Sequence, residues 1–568
     1  MSESTTERGH LFVIDGDLTK IACDAWLLPT DDDFDITELW WPILTGKDTP
    51  TYEDALKLHR DIRAAHAWPV RGDSGLLDDS RRIIPYVGHT EGSDIYLARI
   101  GHSGGRKEIY ADAVIEFVKL ATARYEQSPD RPAGRVRLAI NQIGSGRGGG
   151  KQVRGGILDH LISTIEAAIN SGEIKADVVL VSWGEKAEAA AQYLRLEGKQ
   201  NSYSTSNNWH FENGNLDLHA KARDLALHFK ARNACVFMGA GVSGGAGLPM
   251  WDELLDSMSN GLSETDRVAF GEATNLHKAS ILKQSLGAET FAASIKSRLH
   301  SPKFSLMHGL LSSLPCDEFI TTNVEQLFER ASSSKARKIT ILPSLEHHHL
   351  IDRWLLKIHG CVSRPDTVVF TKEEYDRSVS SRRALFGVLQ AMLLTRHIVF
   401  VGYSLSDPDF QEILREVEDA LPSEPDRVDQ GSRKLGTILT LFTDNTKLDD
   451  YARLFDVVPI SSASSSNHSK EDFNRAVRDL ERFLDLIGML SSDRASFLLD
   501  DRYSALLNEA ERDLASVLVE VARQAGSFSG ASGWDQVWDV LRSLGAHPDL
   551  IGKNRPQVLS DVPHISSE

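Results

Sequence analysis

Cysteine is scarce in this chain. Its 568 residues include four cysteines, and all of them lie far apart in the sequence. Such spacing excludes a zinc module built from paired Cys-x-x-Cys motifs and gives no sign of a disulfide framework. We therefore expect a protein of a reducing compartment. The cysteines are Cys23, Cys235, Cys316 and Cys361.

Long apolar runs and an excess of basic residues are also absent. No run approaches the roughly 18 apolar residues that span a bilayer, and the polar start of the chain lacks the apolar core of a signal peptide. The formal net charge is −18, which argues against sequence-independent binding of nucleic acid. We expect a soluble cytoplasmic protein with no membrane partner and no general nucleic-acid partner.

Familiar catalytic and metal-binding motifs are missing as well. No Walker loop, no His-Glu-x-x-His and no Gly-x-Ser-x-Gly occurs. The histidine tract at 346–349 is better interpreted as a solvated loop, because three adjacent histidines cannot all face one ion in a regular element. The acidic run at 31–33 is interpreted as a solvated turn. We expect no bound metal.

Length predicts several domains, because 568 residues exceed one ordinary domain. Apolar runs alternate with helical patterns over residues 1–205 and again over 216–460, which predicts two α/β domains. Residues 470–568 show apolar stripes at helical spacing and are predicted to be helical. The polar stretch at 201–215 and the serine-rich stretch at 461–467 are the predicted linkers.

The most informative segment is a glycine-rich loop at residues 239–249, hereafter the glycine loop. An apolar run at 234–238 precedes it, and a helical pattern follows at 251–258. A strand, a glycine loop and a helix bring bare backbone amides up to a dinucleotide pyrophosphate. The predicted nucleotide contacts in this loop are Gly239, Ala240, Gly241, Ser243, Gly247 and Pro249.

Three later segments have the same form. Apolar runs at 319–321, 354–358 and 398–401 each end in small or polar residues. The ends of parallel strands converge on one crevice, where ligands bind. We therefore expect these ends to complete the nucleotide site with Thr322, Asn323, Glu325, His359, Gly402 and Ser404.

The four segments in this order resemble the sirtuin family over residues 229–460. Their motifs resemble the sirtuin-like NAD hydrolases of bacterial anti-phage defence more than protein deacylases. The resemblance implies a Rossmann-like parallel sheet. Residues at about 257–311 lack strong strand patterns and are predicted to form a helical insertion in it. The resemblance also implies that NAD is the substrate, that His359 is the base near the ribose hydroxyls, and that Asn323 orients water and ribose.

Other interpretations of these residues stay open. Asn323 could cap a helix starting at Val324, His359 could be a strand-end histidine bonded within the core, and Thr322 and Ser404 could be ordinary turn residues. Two departures from the deacylase pattern stand out. The zinc module of that pattern is absent, and Glu325 replaces an aspartate, which keeps the charge at the nicotinamide end but moves it.

The start of the chain resembles a second family. Its Gly-Asp-Leu-Thr opening before a predicted strand is similar to that of macro domains, which bind ADP-ribose. The resemblance implies that Asp17 contacts the adenine and that the loop with Gly144, Gly146 and Gly148 wraps the diphosphate. Leu-Pro-Thr-Asp at 28–31 replaces the family's Asn-Ala-Ala-Asn, which argues against ADP-ribosyl hydrolysis. The alternative is a structural α/β domain whose glycines only turn the chain.

The sequence thus predicts an enzyme that cleaves NAD to nicotinamide and ADP-ribose, or to a cyclic form. Uncontrolled NAD loss would kill a cell, so we expect a gate. The macro-like domain is the candidate sensor or product binder, and the helical region is the candidate contact for a homo-oligomer or an activating protein partner. Depletion of NAD in anti-phage defence is what the resemblance implies. The alternatives are an NAD-dependent protein-lysine deacylase and a non-catalytic NAD- or ADP-ribose-binding regulator.

Overall fold

A computed structural model describes most of the chain. The predicted diphosphate glycines at 144–150, the acidic run at 31–33 and the histidine tract at 346–349 lie outside the described residues. The described residues are 8–30, 36–65, 82–86, 93–100, 106–127, 135–143, 153–200, 209, 211, 217–333, 338–344, 353–421, 434–443, 450–464, 466, 468–528 and 530–547.

A six-stranded sheet forms from the first part of the chain. Its strands are β1 (Leu11–Asp15), β2 (Ala25–Thr30), β3 (Ile83–Pro85), β4 (Asp94–Arg99), β5 (Arg137–Asn141) and β6 (Asp177–Ser182). Their order is β1-β6-β5-β2-β4-β3, and only the β3–β4 pair is antiparallel. Strands buried on both faces read as continuous apolar runs, which is why the sequence pattern located β1 and β6.

Helices cover this sheet. They are α1 (Trp41–Thr45), α2 (Tyr52–Ala65), α3 (Lys107–Gln127), α4 (Arg154–Asn170) and α5 (Glu185–Gln200). Successive side chains of a strand point to opposite faces. Leu11 and Val13 of β1 therefore join the core formed with α3 and α4, whereas Phe12 and Ile14 join a second core shared with the central part of the chain.

The central part of the chain contains a seven-stranded, all-parallel sheet. Its strands are β7 (Ala234–Met238), β8 (Glu318–Thr321), β9 (Ile339–Leu342), β10 (Arg353–Lys357), β11 (His397–Val401), β12 (Gly436–Thr440) and β13 (Phe455–Pro459). Their order is β13-β12-β11-β7-β8-β10-β9. The predicted Rossmann-like parallel sheet is confirmed.

The helices of the central part include the predicted insertion. They are α6 (Leu218–Lys230), α7 (Trp251–Met258), α8 (Glu264–Glu272), α9 (Asn275–Leu286), α10 (Ala288–Arg298), α11 (Leu306–Ser313), α12 (Leu327–Ser332), α13 (Lys372–Thr395) and α14 (Pro408–Ala420). Between β7 and β8 the described chain is helical, and α7 to α10 pack around a small core of their own. The helical insertion between the first two strands is therefore confirmed.

The last described part of the chain is helical, as predicted. It contains α15 (Lys470–Ser491), α16 (Glu509–Arg523), α17 (Ala525–Phe528) and α18 (Trp534–Ser543). Leu506, one of the apolar residues of this region, does not lie in an α-helix. Instead, that residue ends a 3-10 turn, and Asn508 caps the start of α16. No helix in the described part of the chain is both long and apolar enough to cross a membrane.

Helix α15 is buried between the two sheets, where it packs on α5, α6 and α11. Its Asp485 is fully buried and accepts hydrogen bonds from Arg195, at 2.9 and 2.7 Å, while His10 Nε2 lies 2.8 Å away. Burial lowers the pKa of His10 to about 4, despite the opposing effect of Asp485. This helix therefore fixes the N-terminal sheet to the central one and offers little free surface to a partner.

Candidate active site

The carboxyl ends of four neighbouring strands meet at one edge of the central sheet. These strands are β11, β7, β8 and β10, and all of their pairings are parallel. Met238 pairs with Val401 on one side and with Thr321 on the other, and Thr321 pairs with Lys357. The four segments that the sequence singled out therefore converge, as predicted for parallel strands.

The glycine loop leaves β7 against the end of β11. A side chain at Gly239 would place its Cβ 2.4 Å from the carbonyl oxygen of Gly402, so only glycine fits there. The amide of Gly241 donates to that same carbonyl at 3.0 Å. Gly402 has φ +62° and Gly247 has φ +77°, a backbone region that favours glycine. These residues hold the loop's backbone close to the sheet edge.

Asn323 joins the end of β8 to the glycine loop. Its Nδ2 donates to the carbonyl of Gly239 at 3.1 Å and to Ser243 Oγ at 3.2 Å. The interpretation of Asn323 as a helix cap is wrong, because α12 begins at Leu327. The side-chain nitrogen of Asn323 is used by the glycine loop, and α12 begins four residues further along the chain.

Glu325 lies beside Asn323 and is almost fully buried. Its Oε1 accepts from Ser243 Oγ at 2.6 Å and from Asn323 Nδ2 at 3.2 Å, and its Oε2 accepts from the amide of Leu327 at 2.6 Å. Both carboxylate oxygens therefore accept hydrogen bonds from other groups of the protein. Burial alone would raise the pKa of Glu325, but the hydrogen bond and charge of His308, with Lys357 and Ser243, lower it to about 2.

The lysine of the Lys-Ile-His-Gly motif supports the same region. Lys357 is buried at the end of β10, where its ammonium donates to the backbone carbonyl of Glu325. It also forms an ion pair with Glu329 at 2.6 Å. The motif's lysine thus fixes the turn that carries Asn323 and Glu325.

His359 reaches from the end of β10 to the loop after β11. Its Nε2 lies 2.9 Å from Asp407 Oδ2, and the hydroxyl of Tyr375 lies 3.3 Å from the same nitrogen. Burial opposes ionisation of Asp407, but the charge and hydrogen bond of His359 outweigh it and lower the pKa of that carboxyl. With Asn323 bridging β8 and β7, these contacts link all four strand ends.

Sequence reasoning missed Asp407, Tyr375 and His308. Asp407 did carry a local signal, because an aspartate before proline is a typical helix cap, and it caps α14 through the amide of Asp409 at 2.9 Å. Tyr375 and His308 lie inside helices with no motif around them. Their contacts with the site depend on tertiary packing alone.

The remaining predicted contacts line the rim. Ser404 is exposed and its hydroxyl lies 2.7 Å from that of Ser406. Ala240 is exposed, whereas Thr322 and Pro249 are half-buried. Ala240 and Pro249 belong to the glycine loop, and Thr322 and Ser404 follow the ends of β8 and β11.

His359 also belongs to a group of side chains with metal-ligand chemistry. His359, Asp407 and Asp409 each offer an atom within 4.8 Å of the others. Asp409, however, pairs with Arg382 at 2.9 Å, and Asp407 pairs with the histidine. The charge of Asp409 is therefore balanced by Arg382, and Asp407 is engaged by the histidine.

The N-terminal sheet has an edge of the same kind. Asp17 follows β1 and caps a 3-10 turn, accepting from the amide and hydroxyl of Thr19 at 3.0 and 2.6 Å. Lys20 pairs with its other oxygen at 3.3 Å. Trp183 follows β6, the neighbour of β1, and is 65% exposed. The predicted adenine contact therefore follows one strand end, and an exposed indole follows the end of the neighbouring strand.

Comparisons with known proteins fit the central sheet. A family model described as a SIR2-like domain matches residues 317–454. NAD(+) hydrolase ThsA of Cytobacillus dafuensis is 27% identical over 202 residues, and ThsA of Enterococcus faecium is 28% identical over 200 residues. These alignments cover 34% and 33% of this chain. They span only 39% and 40% of the two relatives' lengths.

Two further similarities were found. Defense-associated sirtuin 2 of Bacillus subtilis is 24% identical over 189 residues, which is 32% of this chain and 19% of that protein. Among solved structures, the macrodomain of Oceanobacillus iheyensis with ADP aligns with a TM-score of 0.26 and 13% identity, covering 35% of this chain and 97% of that one. The motif resemblance is confirmed over residues 317–454, which match the SIR2-like domain model.

Proposed function

We propose that this chain hydrolyses NAD at the convergent strand ends, releasing nicotinamide and ADP-ribose or a cyclic form of it. One observation carries the proposal. The amide of Asn323 and the imidazole of His359 stand on neighbouring strands at one sheet edge, beside a glycine loop into which Asn323 donates. The SIR2-like family match and the ThsA relatives support the same reaction.

The reaction breaks the bond between the ribose C1′ and the nicotinamide nitrogen. Positive charge develops on the ribose as this bond lengthens, and a base beside the ribose hydroxyls stabilises that charge. His359 is the proposed base. The Asp407 carboxylate can only accept a hydrogen bond, so a neutral imidazole carries its proton on Nε2 and presents Nδ1 as the acceptor.

Asn323 is proposed to orient the attacking water and the ribose. Its Nδ2 is held by the carbonyl of Gly239 and by Ser243, which fixes the direction of the carboxamide. A fixed amide aligns the reactants without reorganising during the reaction. Glu325 fixes Asn323 and Ser243, so its carboxylate is proposed to hold the site together, and it has no oxygen free of protein contacts for the nicotinamide amide.

The glycine loop is proposed to hold the diphosphate. Gly239, Gly241 and Gly247 keep side chains away from it, and backbone amides at the start of a helix favour anionic groups. Ser243, Thr322 and Ser404 are proposed as hydroxyl contacts to phosphate or ribose.

The wider role is proposed from the relatives. We propose a cytoplasmic effector that depletes NAD in anti-phage defence and is silent until activated. The N-terminal sheet is the proposed sensor of an ADP-ribose-type nucleotide, with Asp17 at its edge. A homo-oligomer and an activating protein partner belong to the same proposal.

Chromatographic detection of nicotinamide tests the reaction. The purified protein and its His359→Ala and Asn323→Ala variants are incubated with NAD, and the NAD content of expressing cells is measured in parallel. We expect release by the unaltered protein and loss of release in both variants. Binding of NAD with no release in vitro and no NAD loss in cells would instead indicate a non-catalytic regulator.

One observation favours protein deacylation as a second candidate. A cavity of about 290 Å³ lies between α10 and the segment that follows His359, and Phe291, Val368 and Phe370 contribute apolar walls. The amide of Val369, within that segment, donates to the carbonyl of His359 at 3.2 Å. An acyl chain in this cavity would therefore lie against the segment whose backbone contacts that of His359. Nicotinamide release that depends on an acetylated peptide would favour the deacylase, and peptide-independent release would favour the hydrolase.

A further inference from the structure

Residues 303–308, hereafter the strap, connect the N-terminal sheet to the candidate active site. On the N-terminal side, the amide of Phe304 donates to the carbonyl of Lys20 at 2.8 Å, and the amide of Ala22 donates back to the carbonyl of Phe304 at 2.8 Å. Phe304 is fully buried. The segment it pairs with directly follows Asp17 and the turn that Asp17 caps.

Lys303 strengthens the same junction. Its ammonium lies 2.9 Å from the hydroxyl of Ser93, which precedes β4, and 4.1 Å from the ring centre of Trp26 in β2. Both the lysine and the serine are buried. A buried charge that rests on a hydroxyl and an aromatic face fixes its backbone closely, because leaving either partner is costly.

The other end of the strap contacts the glycine loop. Ser305 Oγ donates to the carbonyl of Val242 at 2.9 Å, and a Cβ at Gly245 would lie 3.1 Å from the Ser305 Cβ. His308 is buried, with Nδ1 2.7 Å from Ser305 Oγ and Nε2 3.5 Å from Ser243 Oγ. The strap therefore contacts the glycine loop at the backbone carbonyl of Val242 and at the buried side chain of Ser243.

His308 joins the strap to Ser243 and Glu325 of the candidate active site. The Ser305 hydroxyl hydrogen is used on the carbonyl of Val242, and that of Ser243 is used on the Glu325 carboxylate, since both partners can only accept. The backbone amide of Ser305 donates to His308 Nδ1 at 3.3 Å, which closes a capping box at the start of α11. His308 Nε2 also lies 3.9 Å from Glu325 Oε1, so this side chain contacts both the strap's serine and the Ser243–Glu325 pair.

We propose that the strap transmits displacements of the N-terminal domain to Ser243 and Asn323, with His308 as the positioning residue at its end. This inference rests on the proposed function, whose active site it would regulate. The Asp17 carboxylate either caps the turn at Thr19 or binds a ligand at the strand edge. Loss of that cap shifts Lys20 to Ala22, and a close-packed interior passes the shift to Phe304.

Amide hydrogen exchange of the glycine loop in the full chain tests the link without any turnover. Ser93→Ala perturbs the N-terminal end and Ser305→Ala breaks the loop end. We expect each to speed exchange at residues 239–247 by about 5- to 30-fold. Ser312→Ala is the matched control, because among the described residues its buried hydroxyl bonds to Gly309, within α11, and to no other partner. It should leave the loop's exchange unchanged.

A double variant separates transmission from general loosening. Ser93→Ala combined with Ser305→Ala should exchange no faster than Ser305→Ala alone, because both changes act on one link. Unchanged exchange in Ser93→Ala, or rates that multiply in the double variant, would overturn the proposal. If Ser305→Ala does not fold, His308→Gln takes its place with the same expectations. A chain that fails to release nicotinamide yet behaves in this way would refute the proposed reaction and leave the link standing.

Discussion

Replacement of Asp407 by asparagine is the sharpest single test of how the site works. Asp407 has two separate functions in the structure. Its Oδ2 faces His359 at 2.9 Å, and its Oδ1 caps α14 through the amides of Asp409 at 2.9 Å and Phe410 at 3.5 Å. Asparagine is an equally good helix cap. Asp407→Asn therefore removes the charge beside the histidine and keeps the cap.

The size of the effect follows from this contact. A hydrogen bond to a charged, buried group contributes about 1.5–3 kcal/mol. If this whole contribution stabilises the transition state in which the ribose is cationic, loss of the hydrogen bond lowers kcat by roughly 10- to 150-fold, at 1.4 kcal/mol per factor of ten. The helix loses only the favourable charge at its N-terminus, about 0.3–1 kcal/mol, so Tm should change little.

The assay is nicotinamide release at saturating NAD, with Tm measured on the same samples. Asp419→Asn is the matched control, since it makes the same change at an exposed position near the other end of α14. The control should retain the full rate. A folded Asp407→Asn protein whose kcat stays within about two-fold of the unaltered chain would refute the dyad.

Three other outcomes are expected. Gly239→Ala should abolish NAD binding by calorimetry, because its Cβ would meet a carbonyl oxygen at 2.4 Å, whereas Gly244→Ala has open space and should bind normally. The pKa of Glu325 is lowered to about 2, so the stability that its carboxylate contributes is complete above the ordinary pKa of a glutamate and is lost as the pH falls. Between about pH 5.5 and 3.5 the free energy of unfolding should fall by about 1 kcal/mol. Over the same range the Tm of Glu325→Gln should fall less. The pKa of His10 is lowered to about 4, so as the pH falls this histidine is protonated in the unfolded chain before it is protonated in the folded one. From about pH 7 to about pH 5 the free energy of unfolding should fall by about 2 kcal/mol. A His10→Gln protein whose Tm falls as steeply as that of the unaltered chain would contradict this expectation.

Much of the central fold could be predicted because its signals are local. Apolar runs buried on both faces located β7, β8, β10 and β11, and the clash that a side chain at Gly239 would make explains why the loop is rich in glycine. Parallel pairing then brings Asn323 and His359 to one edge with no further information. The family match confirms the resemblance that these motifs carried.

The partners of those residues could not be predicted, because they depend on contacts between distant segments. Nothing near Asp407 in the sequence indicates that His359 pairs with it, and His308 lies in an apolar helix that reads as core. The same holds for α15, whose apolar stripe predicts a helix but not the burial of Asp485 against Arg195. Periodicity records which face of an element is buried and gives no information on its partner.

The most direct measurement is a crystal structure of the Asn323→Ala variant with NAD bound, since loss of the proposed water-orienting amide should leave the substrate intact. We predict the diphosphate along residues 239–249 and the nicotinamide ribose within hydrogen-bonding distance of His359. Density for the dinucleotide at another edge of the molecule, with the ends of β7, β8, β10 and β11 empty, would contradict the account.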